Sequence, residues 1–259
     1  MVALGPVGAA SDGADLVETA AELEELGYST FWLPGRLPNA LAEVPAIVRG
    51  TKRITVATGI VSVDQVPPAQ VVDTYRAHPD RFLAGIGGAH GTRPLSAINA
   101  YLDKLDPVVP RSARVLSALG PKMLALARDR TAGAYPYLVT TDYVASARNI
   151  LGPDTWLVVL VNVVAEADPG RAREIVRRGS LPARAAAPGY AANLRRMGFT
   201  DGDIADLSDR LVDGVTVWGD LDTVVRRLTE YRAAGADQVV IQLGGVQDEW
   251  RAHLPTALG

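Results

Sequence analysis

Ile54-Thr55-Val56-Ala57-Thr58-Gly59-Ile60-Val61 is a β-branched run broken by one glycine, and Phe82-Leu83-Ala84-Gly85-Ile86-Gly87 is a second apolar run, with the helical stretch Pro68 to His78 between them. Two short apolar runs separated by a helix form a strand, helix, strand unit. The helix also fixes the pairing, because strands joined by a crossover of that length run parallel.

The same punctuation extends in both directions. Upstream, Val2-Ala3-Leu4-Gly5 reads as the first strand, and Leu16, Val17, Ala20, Leu23 and Leu26 recur at helical spacing until Gly27 stops the helix. Ser29-Thr30-Phe31-Trp32-Leu33 then forms the second strand. Downstream, Val115-Leu116-Ser117-Ala118 leads through Gly120-Pro121 into a helix carrying Met123, Leu124, Leu126 and Ala127. Ala132-Gly133-Ala134-Tyr135-Pro136 is a small-residue strand followed by a helix from Tyr143 to Ile150. Trp156 to Val164 is the longest apolar run, and a helix from Asp222 to Ala234 precedes the last strand, Val239-Val240-Ile241-Gln242-Leu243.

Eight strands alternating with helices predict an α/β fold closed as a (β/α)8 TIM barrel, one domain over residues 1–259. The open doubly wound alternative would carry a Gly-x-Gly-x-x-Gly turn after its first strand, and neither Gly5-Pro6-Val7-Gly8 nor Gly85-Ile86-Gly87-Gly88 fits it. Residues 165–213, rich in Arg and Ala and interrupted by Pro182 and Pro188, are expected to be extra helices inserted after strand seven on the carboxyl face.

Composition narrows the function classes. With 48% apolar residues and a formal net charge of -3, the chain can bury a substantial core and carries no strong field. Its 26 basic residues are spread evenly and only 6% of residues are aromatic, so no nucleic-acid surface is expected. No run approaches the ~18 apolar residues of a membrane span, and the amino end lacks a secretory layout, so the expectation is a cytoplasmic protein without a membrane partner. The absence of cysteine removes disulfides, thiolate metal sites and thiol nucleophiles, and His78, His90 and His253 never fall at metal-binding spacing, so no metal is expected.

In a barrel the chemistry collects just beyond the carboxyl ends of the strands. After strand five, Ala118-Leu119-Gly120-Pro121-Lys122 sets a glycine against a proline at the first helical turn, which leaves amides and the positive helix end free for a phosphate. A plain strand-to-helix turn accounts for the same spacing. Gly59 closes strand three and Gly87-Gly88 closes strand four, where a flat ring could lie on the backbone without a Cβ in its way. His90 follows strand four, where an imidazole can bond a ring and titrate near neutrality, or simply be a solvated loop residue. Asp64, Asp142, Tyr137 and Arg36 also belong to loops on this side, yet no carboxylate pair, nucleophile elbow or triad emerges. Such a pocket suits a bound cofactor that carries electrons while the protein orients it.

Together these segments resemble the luciferase-like monooxygenase superfamily, and within it the actinobacterial coenzyme F420-dependent oxidoreductases. The resemblance spans nearly the whole chain. It rests on Glu25-Leu26-Gly27-Tyr28-Ser29-Thr30-Phe31-Trp32, Ala57-Thr58-Gly59-Ile60, Arg81 to Gly87, and most specifically Ala118 to Ala127. Ala132 to Thr140, Ala147 to Pro153, Trp218-Gly219-Asp220 and Ala234-Gly235-Ala236-Asp237 agree with it.

The resemblance implies a non-prolyl cis bond and bulge at Gly59-Ile60 supporting the deazaflavin ring, a cofactor phosphate at Leu119, Gly120 and Pro121, and a ring edge met by Gly87, Gly88 and His90. His90 or Asp64 would be the catalytic proton donor or orienting group. Relatives often carry an acidic residue or histidine after strand two, where this chain has Pro34-Gly35-Arg36, and their loops are longer. The implied activity is hydride transfer between F420 and a C=C, C=N or C=O group of a specialised metabolite, a small molecule or modified peptide. Two rivals stay open: an FMN-dependent monooxygenase, and a non-catalytic barrel with a binding role, which predicts a trans bond at Gly59. A homodimer through barrel helices such as Pro68 to Tyr75 is a further expectation.

Overall fold

Along the inner strands, alternate residues must face opposite ways, so every strand of a closed barrel sends one set of side chains to the axis and the other to the helices. In the computed structural model, which describes residues 4–35, 37, 39–89 and 91–259, this division is complete. The chain runs β1 (Val7–Ala10), α1 (Leu16–Glu25), β2 (Thr30–Leu33), α2 (Ala40–Gly50), β3 (Thr55–Thr58), β4 (Val61–Ser62), α3 (Pro68–Ala77) and β5 (Phe82–Gly87). It continues through α4 (Pro94–Leu105), β6 (Arg114–Leu116), α5 (Pro121–Arg130), β7 (Gly133–Ala134), α6 (Thr141–Leu151) and β8 (Trp156–Val164). Five helices follow, α7 (Pro169–Arg178), α8 (Leu181–Ala186), α9 (Pro188–Arg196), α10 (Asp201–Asp206) and α11 (Asp209–Val215), and then β9 (Thr216–Trp218), α12 (Leu221–Ala233), β10 (Gln238–Gln242) and α13 (Asp248–Leu258).

All pairings are parallel, and the ring closes because β10 pairs with both β1 and β8. Strands β3 and β4 together form one barrel stave. Ala57 is opposite Leu83 and Val61 opposite Ile86, so four steps on one strand face three on the other, which is a bulge of one residue. β9 lies outside the ring of eight and prolongs the sheet along the far end of β8, Asn162↔Thr216 through Val164↔Trp218.

The first strand lies later than the sequence suggests. Leu4 and Gly5 are not in a strand, and pairing starts at Val7, with Gly8 opposite both Thr30 and Val240. Pro6 has no amide to donate and serves the sheet only as an acceptor, from the Val239 amide at 3.0 Å. The strand is made of small residues because the axis beside it is full: a Cβ at position 8 would come within 2.2 Å of the Thr30 hydroxyl oxygen.

Trp32 and Tyr135 stack across that axis, ring centroids 4.2 Å apart and planes within 4°, packed with Ala10, Ala57, Leu83 and Val240. Beneath them the Gln238 side-chain oxygen accepts from Thr30 Oγ1 at 2.8 Å and from Trp32 Nε1 at 3.3 Å, while its nitrogen donates to the Gly5 carbonyl and Ser29 Oγ. The outward-facing residues, among them Phe31, Val56, Phe82, Leu116, Val161 and Ile241, join the helices in the larger core. A separate core of Leu181, Ala185, Leu194, Phe199, Leu211 and Val212 fills the space among α7 to α11, and it reaches the barrel through Leu138 and Val164.

At the amino end of the barrel, the buried Glu24 carboxylate accepts from the backbone amides of Lys52, Arg53 and Ile54 and so ties α1 to the start of β3. Burial alone would raise its pKa, but the three amides and the Arg53 charge outweigh that and hold it low. Glu24→Gln is expected to cost about 2 kcal/mol at neutral pH. Because the native pKa is depressed, the carboxylate's contribution is present above its unfolded value of about 4 and lost as pH falls further. Urea midpoints of variant and parent should therefore converge in acid, and a constant gap down to acid pH would refute this account.

Candidate active site at the carboxyl mouth of the barrel

Alternation carries the inward face of each strand up to the mouth. Val115, Tyr135, Leu160 and Val240 face the axis, so Ser117, Asn162 and Gln242, each two residues further on, face the space above it. All three are half-buried, and among the described residues none of their side chains has a hydrogen-bond partner. Asn162 and Gln242 are opposite one another on paired strands, which sets two amide groups side by side. Neither amide figures in the sequence reading. The available signal was a polar residue ending an apolar strand in the inward phase.

The other half of the mouth is nearly bare of side chains. Ile60, at the bulge, lies against Gly35 and Gly87: a Cβ at position 35 would meet Ile60 Cγ1 at 2.4 Å, and one at position 87 would meet Ile60 Cγ2 at 3.1 Å and Ser117 Cβ at 2.8 Å. The two glycines thus let one aliphatic side chain lie flat across three strand ends. The Gly59 amide donates to the Leu33 carbonyl, and the Ser62 hydroxyl donates to the Gly88 carbonyl at 3.1 Å. The expected cis bond is absent: Gly59-Ile60 is trans, since no cis peptide occurs among the described residues. The extra residue of the bulge shifts Ile60 off the strand's normal register with an ordinary peptide bond.

Leu119, Gly120 and Pro121 form the turn into α5. The Tyr143 hydroxyl donates to the Leu119 carbonyl at 2.8 Å and, more weakly, to that of Ala118 at 3.3 Å, pinning the acceptors of the turn. The Met123 and Leu124 amides return to the Gly120 carbonyl. No side chain caps this helix, as is also the case for α1 to α4, α8, α9 and α13, and what sets it apart is the group that stands over its first turn. That group is a guanidinium. Arg196 Nη2 would lie 3.3 Å from a Cβ at position 120 and is held by donating to Asn193 Oδ1 at 3.1 Å. Asn193 is 1% exposed and its Nδ2 has no partner. An uncapped helix start, a guanidinium without a carboxylate and a buried amide with unused donors fit an anionic group such as a phosphate.

The remaining sequence candidates fall elsewhere. Asp64 follows the bulged stave and lines a cavity of about 300 Å³ with Val66, Pro68, Ala97, Tyr101 and Lys104. His90 and Arg36 lie outside the described residues. Tyr137, bridged to Leu160 just past β7, stands at the mouth and meets the Tyr190 ring edge-on at 6.2 Å.

α8 and α9 overhang this corner. Arg184 sits 5.8 Å from the Tyr137 ring centroid. Burial pushes the Tyr190 phenol up, and the neighbouring Arg184 charge opposes that. Burial also raises Tyr135 far above its ordinary value, and Tyr190 and Tyr137 add to the rise.

Comparison with known proteins places this geometry. No family model matches the chain, and no curated protein matches it. Among solved structures, an F420-dependent secondary alcohol dehydrogenase in complex with an F420-acetone adduct superposes with a TM-score of 0.74 at 13% identity, over 99% of this chain and 98% of that one. The coenzyme F420 dependent tetrahydromethanopterin reductase of Methanopyrus kandleri gives 0.72 at 16% identity, over 99% and 97%. The oxygenating constituent of 3,6-diketocamphane monooxygenase from Pseudomonas putida, a type II Baeyer-Villiger monooxygenase in complex with FMN, gives 0.68 at 13% identity, over 98% and 95%. The fold is the luciferase-like barrel. In this luciferase-like barrel the bulged stave, the glycine half of the mouth and the α5 turn are consecutive along the ring, whereas Asn162 and Gln242 are on the opposite side, and α9 reaches over to the α5 turn through Arg196.

Proposed function

We propose that the protein is an oxidoreductase that holds a deazaflavin of the F420 type on the glycine half of the mouth and passes hydride to or from a small molecule on the polar half. The observation that carries this reading is the anion cradle, an uncapped α5 start closed by Arg196 and the unpartnered Asn193 amide. The sequence resemblance and the two F420-dependent neighbours support the deazaflavin, and the FMN-bound neighbour keeps FMN as the alternative.

When bound, such a cofactor supplies a two-electron hydride carrier. The protein's part is positional. Ile60 forms a flat apolar support between Gly35 and Gly87, the Ser117 hydroxyl beside Gly87 would bond a polar edge of a ring held there, and the Trp32 and Tyr135 rings seal the barrel below against water. Asn162 and Gln242 present both donors and acceptors toward the reacting partner.

The test is a fluorescence titration with oxidised F420 beside FMN, on the parent, Gly120→Asp and Arg196→Met. Saturable F420 binding is expected to weaken about 100-fold when a carboxylate replaces the cradle hydrogen and about tenfold when the guanidinium is lost. Preferential FMN binding would shift the reading to the monooxygenase. Binding of neither would overturn it and favour the non-catalytic barrel, whose expected trans bond at Gly59-Ile60 the chain does have.

A further inference from the structure

Eight arginines lie between β8 and β9, and the overhanging segment treats them unequally. Arg171, Arg173, Arg177, Arg178, Arg195 and Arg210 each pair with a carboxylate of that same segment. Among the described residues, Arg184 and Arg196 pair with none. Arg196 is accounted for by the α5 cradle. Arg184 is not: it is half-buried, it lies over the Tyr137 ring, and its charge acts on the Tyr190 phenol. A half-buried guanidinium without a counter-charge loses part of its hydration for no ion pair in return, whereas six of its seven fellow arginines in the segment are supplied with one. Its charge is therefore available to a ligand.

The surroundings define that ligand. Tyr137 and Tyr190 meet edge-on, which gives a flat molecule one ring face and one ring edge to pack against. On β8 and β10 the adjacent Asn162 and Gln242 amides have open donors and acceptors facing the space above the axis, Asn162 two residues beyond the Leu160 to which Tyr137 is bridged. A planar guanidinium matches a carboxylate through two parallel bonds better than it matches any neutral group.

We propose that the polar half of the mouth is a binding site for a planar, conjugated carboxylic acid, with Arg184 pairing its carboxylate, Tyr137 and Tyr190 packing its ring, and Asn162 and Gln242 bonding its remaining polar atoms. This deepens the oxidoreductase reading by naming the substrate class, and as the substrate site it rests on that reading. The binding itself can be measured without any cofactor.

The probe is trans-cinnamate beside cinnamamide, which has the same shape without the charge, titrated by calorimetry into the full-length protein, with unfolding temperatures recorded for every variant. Cinnamate is expected to bind saturably and at least about tenfold more tightly than the amide, and Arg184→Met is expected to erase that preference. Arg184→Lys keeps the charge without the fork and should retain part of it, which covers the case in which the Met variant unfolds. Equal binding of acid and amide, or an unchanged preference in Arg184→Met, would overturn the proposal. So would a loss of F420 affinity in Arg184→Met with cinnamate binding intact, since the charge would then serve the cofactor. If instead cinnamate binds as expected while neither F420 nor FMN binds the parent, the carboxylate site stands and only the redox reading fails.

Discussion

Trp32→Ala is expected to lower the unfolding free energy by about 4 kcal/mol, near the upper end for deletion of a buried aromatic ring. Trp32 is fully buried at the barrel axis, and its removal takes away the ring stacked on Tyr135 as well as the indole donor to Thr30 Oγ1. The cavity cannot collapse easily, because Gly8, Ala10 and Ala57 around it belong to strands locked in a closed ring. Trp32→Phe keeps a ring against Tyr135 but loses the N–H and part of the indole volume, so it should cost less than the alanine variant, about 2 kcal/mol. Guanidinium unfolding of the three proteins, with slopes compared to confirm a common transition, decides the matter. A loss below about 1 kcal/mol for the alanine variant would mean that the ring does not fill the axis.

The second large effect is expected at the joint of α4 and β6. Arg114 is 2% exposed, and its charge is met by Asp106, which Arg130 also holds at 2.8 Å. Its Nη1 donates to the Leu102 carbonyl at 3.3 Å and its Nε has no partner. Asp106→Ala leaves a buried guanidinium nearly uncompensated and should cost about 3 kcal/mol, whereas Asp106→Ala with Arg114→Met should recover much of that loss. The pair also sets a pH dependence. The Arg114 hydrogen bond, with the Arg114 and Arg130 charges behind it and burial opposing, holds the Asp106 carboxyl below the usual carboxylate range. Its stabilising contribution is thus complete above about pH 4, the unfolded value, and is lost as pH falls through the lower native one. The parent should lose stability in acid more steeply than Asp106→Ala, and parallel acid limbs would contradict the assignment.

The barrel was legible because its signal is periodic. The runs around Ile54 and Phe82, and the glycines that stop the helices, follow from local rules that the tertiary structure does not override. The first strand was misplaced because Gly5-Pro6-Val7-Gly8-Ala9-Ala10 lacks β-branched residues, and its small side chains are explained only by Thr30 and Gln238 filling the axis beside it. The α5 turn and the glycine half of the mouth were visible as loop chemistry. Asn162 and Gln242 were hidden inside apolar strands, and their importance appears only once the inward phase is known. Arg184 and Arg196 could not be singled out in a stretch holding eight arginines, since what distinguishes them is which carboxylates the fold brings to the other six.

The helices from α7 to α11 leave the barrel after Val164, and the chain rejoins the sheet at Thr216, whose register partner Asn162 lies only two residues before the exit. An excursion whose two ends are neighbours can be rewritten in sequence, lengthened or exchanged while the ring of strands closes as before. Its side chains reach the mouth from above, and the glycine shelf belongs wholly to the ring. Natural variation in this excursion can accordingly retune what the mouth accepts above the shelf, provided that Asn193 and Arg196, which the excursion lends to the cradle at the α5 turn, are kept.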